Sequence, residues 1–348
     1  MTKNVLKALF FFFLSSSIVL GQEYCRKHAA ILEELRIQIK KDCHEWNKGD
    51  LSLVTSLDIS NREIEEIKPH DFEGLVNLRF LNLNYNKLKV IEPSVLAGLT
   101  KLENLGLRAN ELSALSPSVF NPLYNLKVLE LGMNGLSAIP HNLFKPLRNL
   151  ENLDLSQNHI KKILRSNFDG LSKLKVLNLG ANRISVLESG ALDDLVSLRV
   201  LSLYSNELRN LSYSLFYPLK DLEEISLSLN RITWLSSNLF SHNTKLRKVY
   251  LGGNPFRYIP RDLFKGHEYL RDIYLNYLEL STLSEGTFDN LPSLRRLYLN
   301  DNKISSLPQK LFELPKFSSS AKVNLSRNPL SPEYRKFLKG QLGFRFID

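Results

Sequence analysis

Two cysteines, seven histidines and a spaced set of tyrosines and arginines carry most of the usable chemistry in this 348-residue chain. Nucleophilic catalysis, zinc chemistry and phosphate binding each demand a fixed local spacing. There is no Cys-x-x-Cys, no His-Glu-x-x-His and no Gly-x-Ser-x-Gly, and the Gly-Lys pair that closes a P-loop never occurs. The histidines (28, 44, 70, 141, 159, 242, 267) fall at unrelated points and read as ordinary polar residues rather than metal ligands. The sequence therefore reads as a non-enzyme with no cofactor and no metal. Tyrosine and arginine are placed differently. Tyr250, Tyr274 and Tyr298 recur every 24 residues, Tyr277 follows the second of them, and Arg247, Arg271, Arg295, Lys248 and Arg296 stand just ahead. These residue types dominate protein-binding hot spots, because they bury much area and still hydrogen-bond. The candidate partner-binding set is Tyr250, Tyr274, Tyr277, Tyr298, Arg271 and Arg296.

What must position these side chains is a repeat. The pattern L-x-L-x-x-N-x-L begins at residues 57, 81, 105, 129, 153, 177, 201, 225, 249, 273 and 297, every interval being 24. A twelfth copy begins at Val323 after 26 residues, with the two extra residues near Lys316 to Lys322. Its asparagine falls at 86, 110, 134, 158, 182, 206, 230, 254, 302 and 328, while Arg62 and Leu278 take its place in the first and tenth units. Phenylalanine recurs at 72, 120, 144, 168, 216, 240, 264, 288 and 312, with Leu96 and Leu192 completing that series. The alternating L-x-L gives each unit a short strand with two inward side chains. No unit can bury its apolar edge alone, so neighbours must stack. Leu278 cannot satisfy a turn's backbone as asparagine does, so the tenth turn is expected to be irregular.

These residues resemble the leucine-rich-repeat family, in the 24-residue form common in extracellular proteins. The resemblance covers about residues 51–331 and implies an α/β solenoid, a horseshoe whose concave parallel β-sheet has about 12 strands and whose asparagine amides form a ladder. It also implies binding on the concave face. Position x of L-x-L faces outward there: acidic, small or polar in the first eight units, then tyrosine in three. One departure is plain. The family's extracellular members usually carry cysteine clusters in both end caps, and none follows Asn328-Pro329 here.

The remaining segments read as covers and an export signal. Lys3 and Lys7 precede a run from Ala8 to Leu20 that is apolar apart from three serines, with cleavage expected after Gly21. Its roughly 13 residues fall short of the ~20 that span a bilayer, and no later stretch is a transmembrane or anchor candidate. Residues 22–50 are expected to form an N-terminal helical cap, 51–331 the twelve repeats, and 332–348 a C-terminal helical cap with Ser331 at its start and Gly340 as its stop. In an exported chain Cys25 and Cys43 suggest a disulfide. The apolar residues between them follow helical spacing, so a bridge requires that helix to stop early and the chain to double back. Asn210-Leu211-Ser212 is a glycosylation sequon, and Asn324-Leu325-Ser326 a second one inside a strand.

The net charge of +10 drops to +8 without residues 1–21, and its scattered distribution does not suggest a nucleic-acid surface. The expected function is that of a secreted binding module for a protein or glycoprotein, in the extracellular space, or in the periplasm or at the cell surface of a bacterium. The alternatives are a structural or adhesive surface or matrix protein, and a non-catalytic subunit that docks an enzyme.

Overall fold

Alternation of inward leucine and outward polar residues makes each unit extend for three residues and then turn. In the structure, a computed structural model, this holds throughout the residues it describes: 23–308, 311, 321–342 and 346–347. The expected signal segment 1–21, Phe312 and most of the stretch holding the two-residue insertion lie outside them. The chain forms two compact units, residues 1–150 and 151–348. The first holds strands β1 (Ser56–Asp58), β2 (Phe80–Asn82), β3 (Asn104–Gly106) and β4 (Val128–Glu130), paired in sequence order. All three pairings are parallel, with each strand offset from the next by 24 residues.

The second unit continues the same arithmetic. Its main sheet contains β5 (Asn152–Asp154), β7 (Val176–Asn178), β9 (Val200–Ser202), β10 (Glu224–Ser226), β11 (Lys248–Tyr250), β12 (Asp272–Tyr274), β13 (Arg296–Tyr298) and β14 (Lys322–Asn324). The insertion changes one step only, Arg296 standing opposite Lys322. Two features were not legible in the repeat. A two-residue pair, β6 (Lys162–Ile163) and β8 (Val186–Leu187), forms a second small parallel sheet. A last strand, β15 (Phe346–Ile347), pairs with β14.

Behind the strands, the leucines at both inward positions are buried, as are Phe72, Phe120, Phe144, Phe168, Phe216, Phe240, Phe264 and Phe288. Successive phenylalanines stack, with ring centroids 6.3 Å apart for Phe120 and Phe144 and 6.0 Å for Phe216 and Phe240. Burying each ring removes apolar surface worth roughly 2–3 kcal/mol.

The asparagines solve the problem of the turn. Asn206 is typical: its Nδ2 donates to Leu179 O (3.0 Å) and Leu203 O (3.1 Å), and its Oδ1 accepts from Ile184 N–H (2.9 Å). One buried amide thus ties its own turn to the coil before it. The residue before each asparagine adopts the left-handed conformation, as at Ala181, Ser205 and Leu229 (φ 54°, 52° and 55°). At the tenth unit the expected irregularity is absent from the backbone. Tyr277 has φ 55° and donates to Asn300 O at 3.2 Å, matching its neighbours. Packing of the buried Leu278 and the cross-coil bond hold the turn without its amide. What is missing among the described residues is an oxygen for Phe256 N–H, where Asn254 serves Ile232 and Asn302 serves Leu280.

Before β1, helix α1 (Ala29–Ile39) ends on the left-handed Lys40 (φ 59°), and a 3₁₀ turn, Cys43–Glu45, brings the chain back. This reversal sets Cys25 and Cys43 Cα atoms 5.2 Å apart, and the two are bridged. Helix α2 (Lys48–Ser52) follows under an Asn47–Asp50 capping box. At the other end, helix α3 spans Pro332–Leu342, with Ser331 Oγ accepting from Tyr334 N–H at 3.1 Å. It runs through Gly340 rather than stopping there, since a glycine inside a helix costs only about 1 kcal/mol. Tyr334 Oη accepts Leu307 N–H and donates to Leu307 O, both at 2.9 Å, which pins α3 to the last coils.

Lys27, only 4% exposed, plays the corresponding part at the start. Its ammonium donates to the carbonyls of His70 (2.8 Å), Asp71 (3.1 Å) and Glu73 (2.8 Å). In return, buried Asp71 accepts His28 N–H at 2.5 Å. Burial pulls the Lys27 pKa down to about 8, against the opposing pull of Asp71 and Glu73.

Two measurements follow from these contacts. The Phe256 amide is expected to exchange with solvent faster than those of Ile232 and Leu280, by native-state hydrogen exchange; equal protection would count against the missing acceptor. Between pH 8 and pH 10.5 the unfolded chain holds a proton on Lys27 that the folded chain has released, so stability should rise with pH in that window. Urea unfolding at pH 7 and pH 9.5 should show a gain of roughly 1–2 kcal/mol that Lys27→Met abolishes.

Candidate recognition site on the strand sheet

The outward positions of β11, β12 and β13 hold Tyr250, Tyr274 and Tyr298, and strand register places them side by side. Their rings stack face to face, with centroids 4.3 and 4.6 Å apart and planes inclined by 13° and 9°. Stacking consumes the inner ring faces, so the strip offers solvent its ring edges and hydroxyls. Each ring is half-buried. Burial, followed by the charge of Glu224, pushes the Tyr250 pKa up to about 12. Burial also raises that of Tyr274, with Arg296 pulling the other way.

The other candidate residues separate. Arg296 forms a two-pronged bond to Asp272, through Nε at 2.7 Å and Nη2 at 2.6 Å, beside Tyr274. Asp272 is buried, so this pair belongs to the sheet's own structure. Arg271 is exposed and has no carboxylate within salt-bridge distance among the described residues. Tyr277 occupies the left-handed turn position, exposed and outside the ring stack. Tyr204, two strands earlier, lies flat over Gly180: a Cβ there would sit 2.1 Å from its ring.

Asn210 lies exposed in a loop, free of any strand. Asn324 lies on β14 beside Tyr298, its Oδ1 taking Ser326 N–H (3.0 Å) and Oγ–H (2.8 Å). Cys25, Asp42, Cys43 and His44 bring their ligand-type atoms within 4.8 Å of one another, but both sulfurs are spent in the disulfide. Without thiolates this group lacks the ligands a soft metal needs.

Sequence reasoning missed a buried polar pair on the side away from the strands. Asn243 and His267 take the place of a core leucine in consecutive units, for example Leu195 and Leu219 before them. Each reaches the phenylalanine carbonyl 27 residues back, Asn243 to Phe216 O (2.8 Å) and His267 to Phe240 O (3.1 Å). Aligning the units at 24 residues exposes both substitutions.

In the first unit the sheet face is different. A depression of about 260 Å³ is lined by Phe80, Asn82, Asn104 and Glu130 around Gly106. Asn84 lies over that glycine, donating to Glu130 at 2.8 Å and accepting Arg108 N–H at 2.7 Å. Its polar groups therefore satisfy one another.

Five overlapping stretches, residues 52–112, 100–160, 148–208, 197–256 and 244–304, match the family described as leucine rich repeat. The chain belongs to the leucine-rich-repeat family, and its fold is that family's solenoid. No curated protein sequence matches it significantly. Among solved structures, an internalin of Listeria monocytogenes is similar at 23% identity and a TM-score of 0.76, over 90% of this chain and 86% of that one. Toll of Drosophila, in complex with Spatzle, is similar at 22% identity and a TM-score of 0.59, over 80% of this chain and 48% of that one. TLR13, in complex with a single-stranded RNA, is similar at 22% identity and a TM-score of 0.63, over 86% of this chain and 51% of that one. The chain thus spans about half the length of the two Toll-type chains it resembles.

The stack's titration is directly measurable. A phenol whose folded pKa lies near 12 keeps its proton where the unfolded chain has lost it, so stability should fall as pH rises from 10 to 12. Ultraviolet titration should show one tyrosine ionising last and losing that late step in Tyr250→Phe; an unchanged late step would place the perturbed phenol elsewhere.

Proposed function

We propose that this protein is an exported recognition module that binds a protein or glycoprotein through the sheet face of its second unit. The observation that carries the reading is the half-buried stack of Tyr250, Tyr274 and Tyr298. Such a stack is rigid before any partner arrives, so little side-chain entropy is lost on contact. Its hydroxyls and ring edges suit hydrogen-bonding macromolecular surfaces. Toll in its complex with Spatzle provides a protein-binding precedent on the same fold. RNA, bound by TLR13, is a poorer fit here, because single-stranded nucleic acid favours open aromatic faces and these are closed against one another. Export rests on the basic and apolar segment 1–21, and the bridged cysteines suit an oxidising compartment. Recognition, not catalysis, is the role assigned, with no cofactor or metal required.

The test uses the mature, oxidised chain immobilised and exposed to extracellular fluid from its source. The native protein should retain a discrete partner, and Tyr250→Ser/Tyr274→Ser/Tyr298→Ser should lose it while still melting cooperatively. A folded triple variant that retains the same partner would reject this face as the binding site.

A further inference from the structure

We infer that the partner presents an extended acidic peptide segment, its carboxylates held by Arg271, Arg295 and Lys322. This rests on the recognition reading above and specifies its chemistry. The argument begins with the residue just ahead of each strand. In the first unit, Glu103 pairs with Arg79 on one side and with Lys127 (2.6 Å) on the other. In the second, Glu151 pairs with Lys175 (2.7 Å), and Glu223 with both Arg199 (3.8 Å) and Arg247 (3.2 Å). This column therefore places a glutamate beside its cations.

The alternation then stops. Arg271 N–H donates to Arg247 O at 2.8 Å and Arg295 N–H to Arg271 O at 2.7 Å, so three arginines stand on consecutive coils. Only the first has a carboxylate partner among the described residues. The neighbouring column repeats the pattern. Lys248 pairs with Glu224 (2.9 Å) and Arg296 with Asp272 (2.6 Å), and then Lys322, in register with Arg296, has no carboxylate partner among the described residues. Like charges on neighbouring coils repel, and no carboxylate among the described residues lies within salt-bridge distance of these three.

The three unmatched cations thus lie at β12, β13 and β14, beside the tyrosine stack. Three strands at ~4.8 Å spacing span about 10 Å. Roughly three residues of extended peptide cover that length. Arginine forks bind carboxylates in two-pronged fashion, and tyrosine hydroxyls can donate to peptide carbonyls. Rings closed face to face offer little platform for sugars or bases, and the balanced columns elsewhere offer no longer cationic track for a polyanion.

The experiment measures fluorescence anisotropy of labelled hexaglutamate with the mature, oxidised chain. A heparin-derived hexasaccharide and a hexauridylate serve as competing anions. Hexaglutamate should bind most tightly of the three and weaken with salt. Arg271→Gln/Arg295→Gln should weaken it by about tenfold or more, the scale of a lost charge-assisted hydrogen bond. Lys127→Gln/Lys175→Gln, an equal charge change at paired sites, should leave it within about twofold by the same reasoning. Absence of hexaglutamate binding, equal behaviour of the two double variants, or tighter binding of either competitor overturns the inference. With the natural partner, loss in the tyrosine variant but not in the arginine variant rejects the acidic segment alone. Retention in both rejects the recognition reading as well.

Discussion

A single buried amide per coil sets the terms for this molecule. A chain that turns every 24 residues must carry its turn's N–H and C=O groups into the interior, where each unpaired group costs on the order of 1–3 kcal/mol. An asparagine side chain has one acceptor and two donors at the right distance to meet three of them at once. Because those groups belong to two coils, satisfying one turn also fixes the spacing of its neighbour. Strand register follows from that spacing, and every column of outward side chains follows from the register. The tyrosine stack and the charge columns are consequences of amides on the far side of the leucines.

That hierarchy explains what can be read from the sequence. Strand positions, the asparagine ladder and the buried phenylalanines are legible because the same demand recurs each 24 residues and any exception stands out. Side-by-side placement of Tyr250, Tyr274 and Tyr298 is legible for the same reason. Their face-to-face orientation is not, since it depends on χ angles chosen by all three rings together. Arg271 and Arg296 look equivalent in the sequence. Only the burial of Asp272 separates the committed guanidinium from the free one. Buried Lys27 is invisible to repeat reasoning altogether, because it answers carbonyls at and just after the 3₁₀ turn Pro69–Phe72 of the first coil.

The two ends show a contrast in how a stack is closed. At the start, a disulfide closes the cap on itself, and a buried ammonium and a carboxylate join it to the first coil through polar contacts. At the other end, the Tyr334 hydroxyl bonds Leu307, the Arg335 guanidinium bonds the carbonyls of Leu330 and Asn328, and Leu338 is buried beneath the helix. The left-handed turn positions are tolerant in another sense: alanine, serine, leucine, methionine and tyrosine all occupy them. Backbone strain of about 1 kcal/mol there is absorbed by the ladder, so the tip residue is free to vary. Tyr277 and Leu229 are two such variations.

Strand β15 has a bearing on how copies of this protein behave at high concentration. A stacked sheet ends in a row of open amides and carbonyls, the same surface on which the next coil was laid. Without cover, another copy could dock there head to tail, and such a contact does not close on itself but grows into a fibre. By pairing Phe346–Ile347 with β14, the chain occupies that growth point with a strand of only two residues. An edge strand so short gives a further strand little length to pair along.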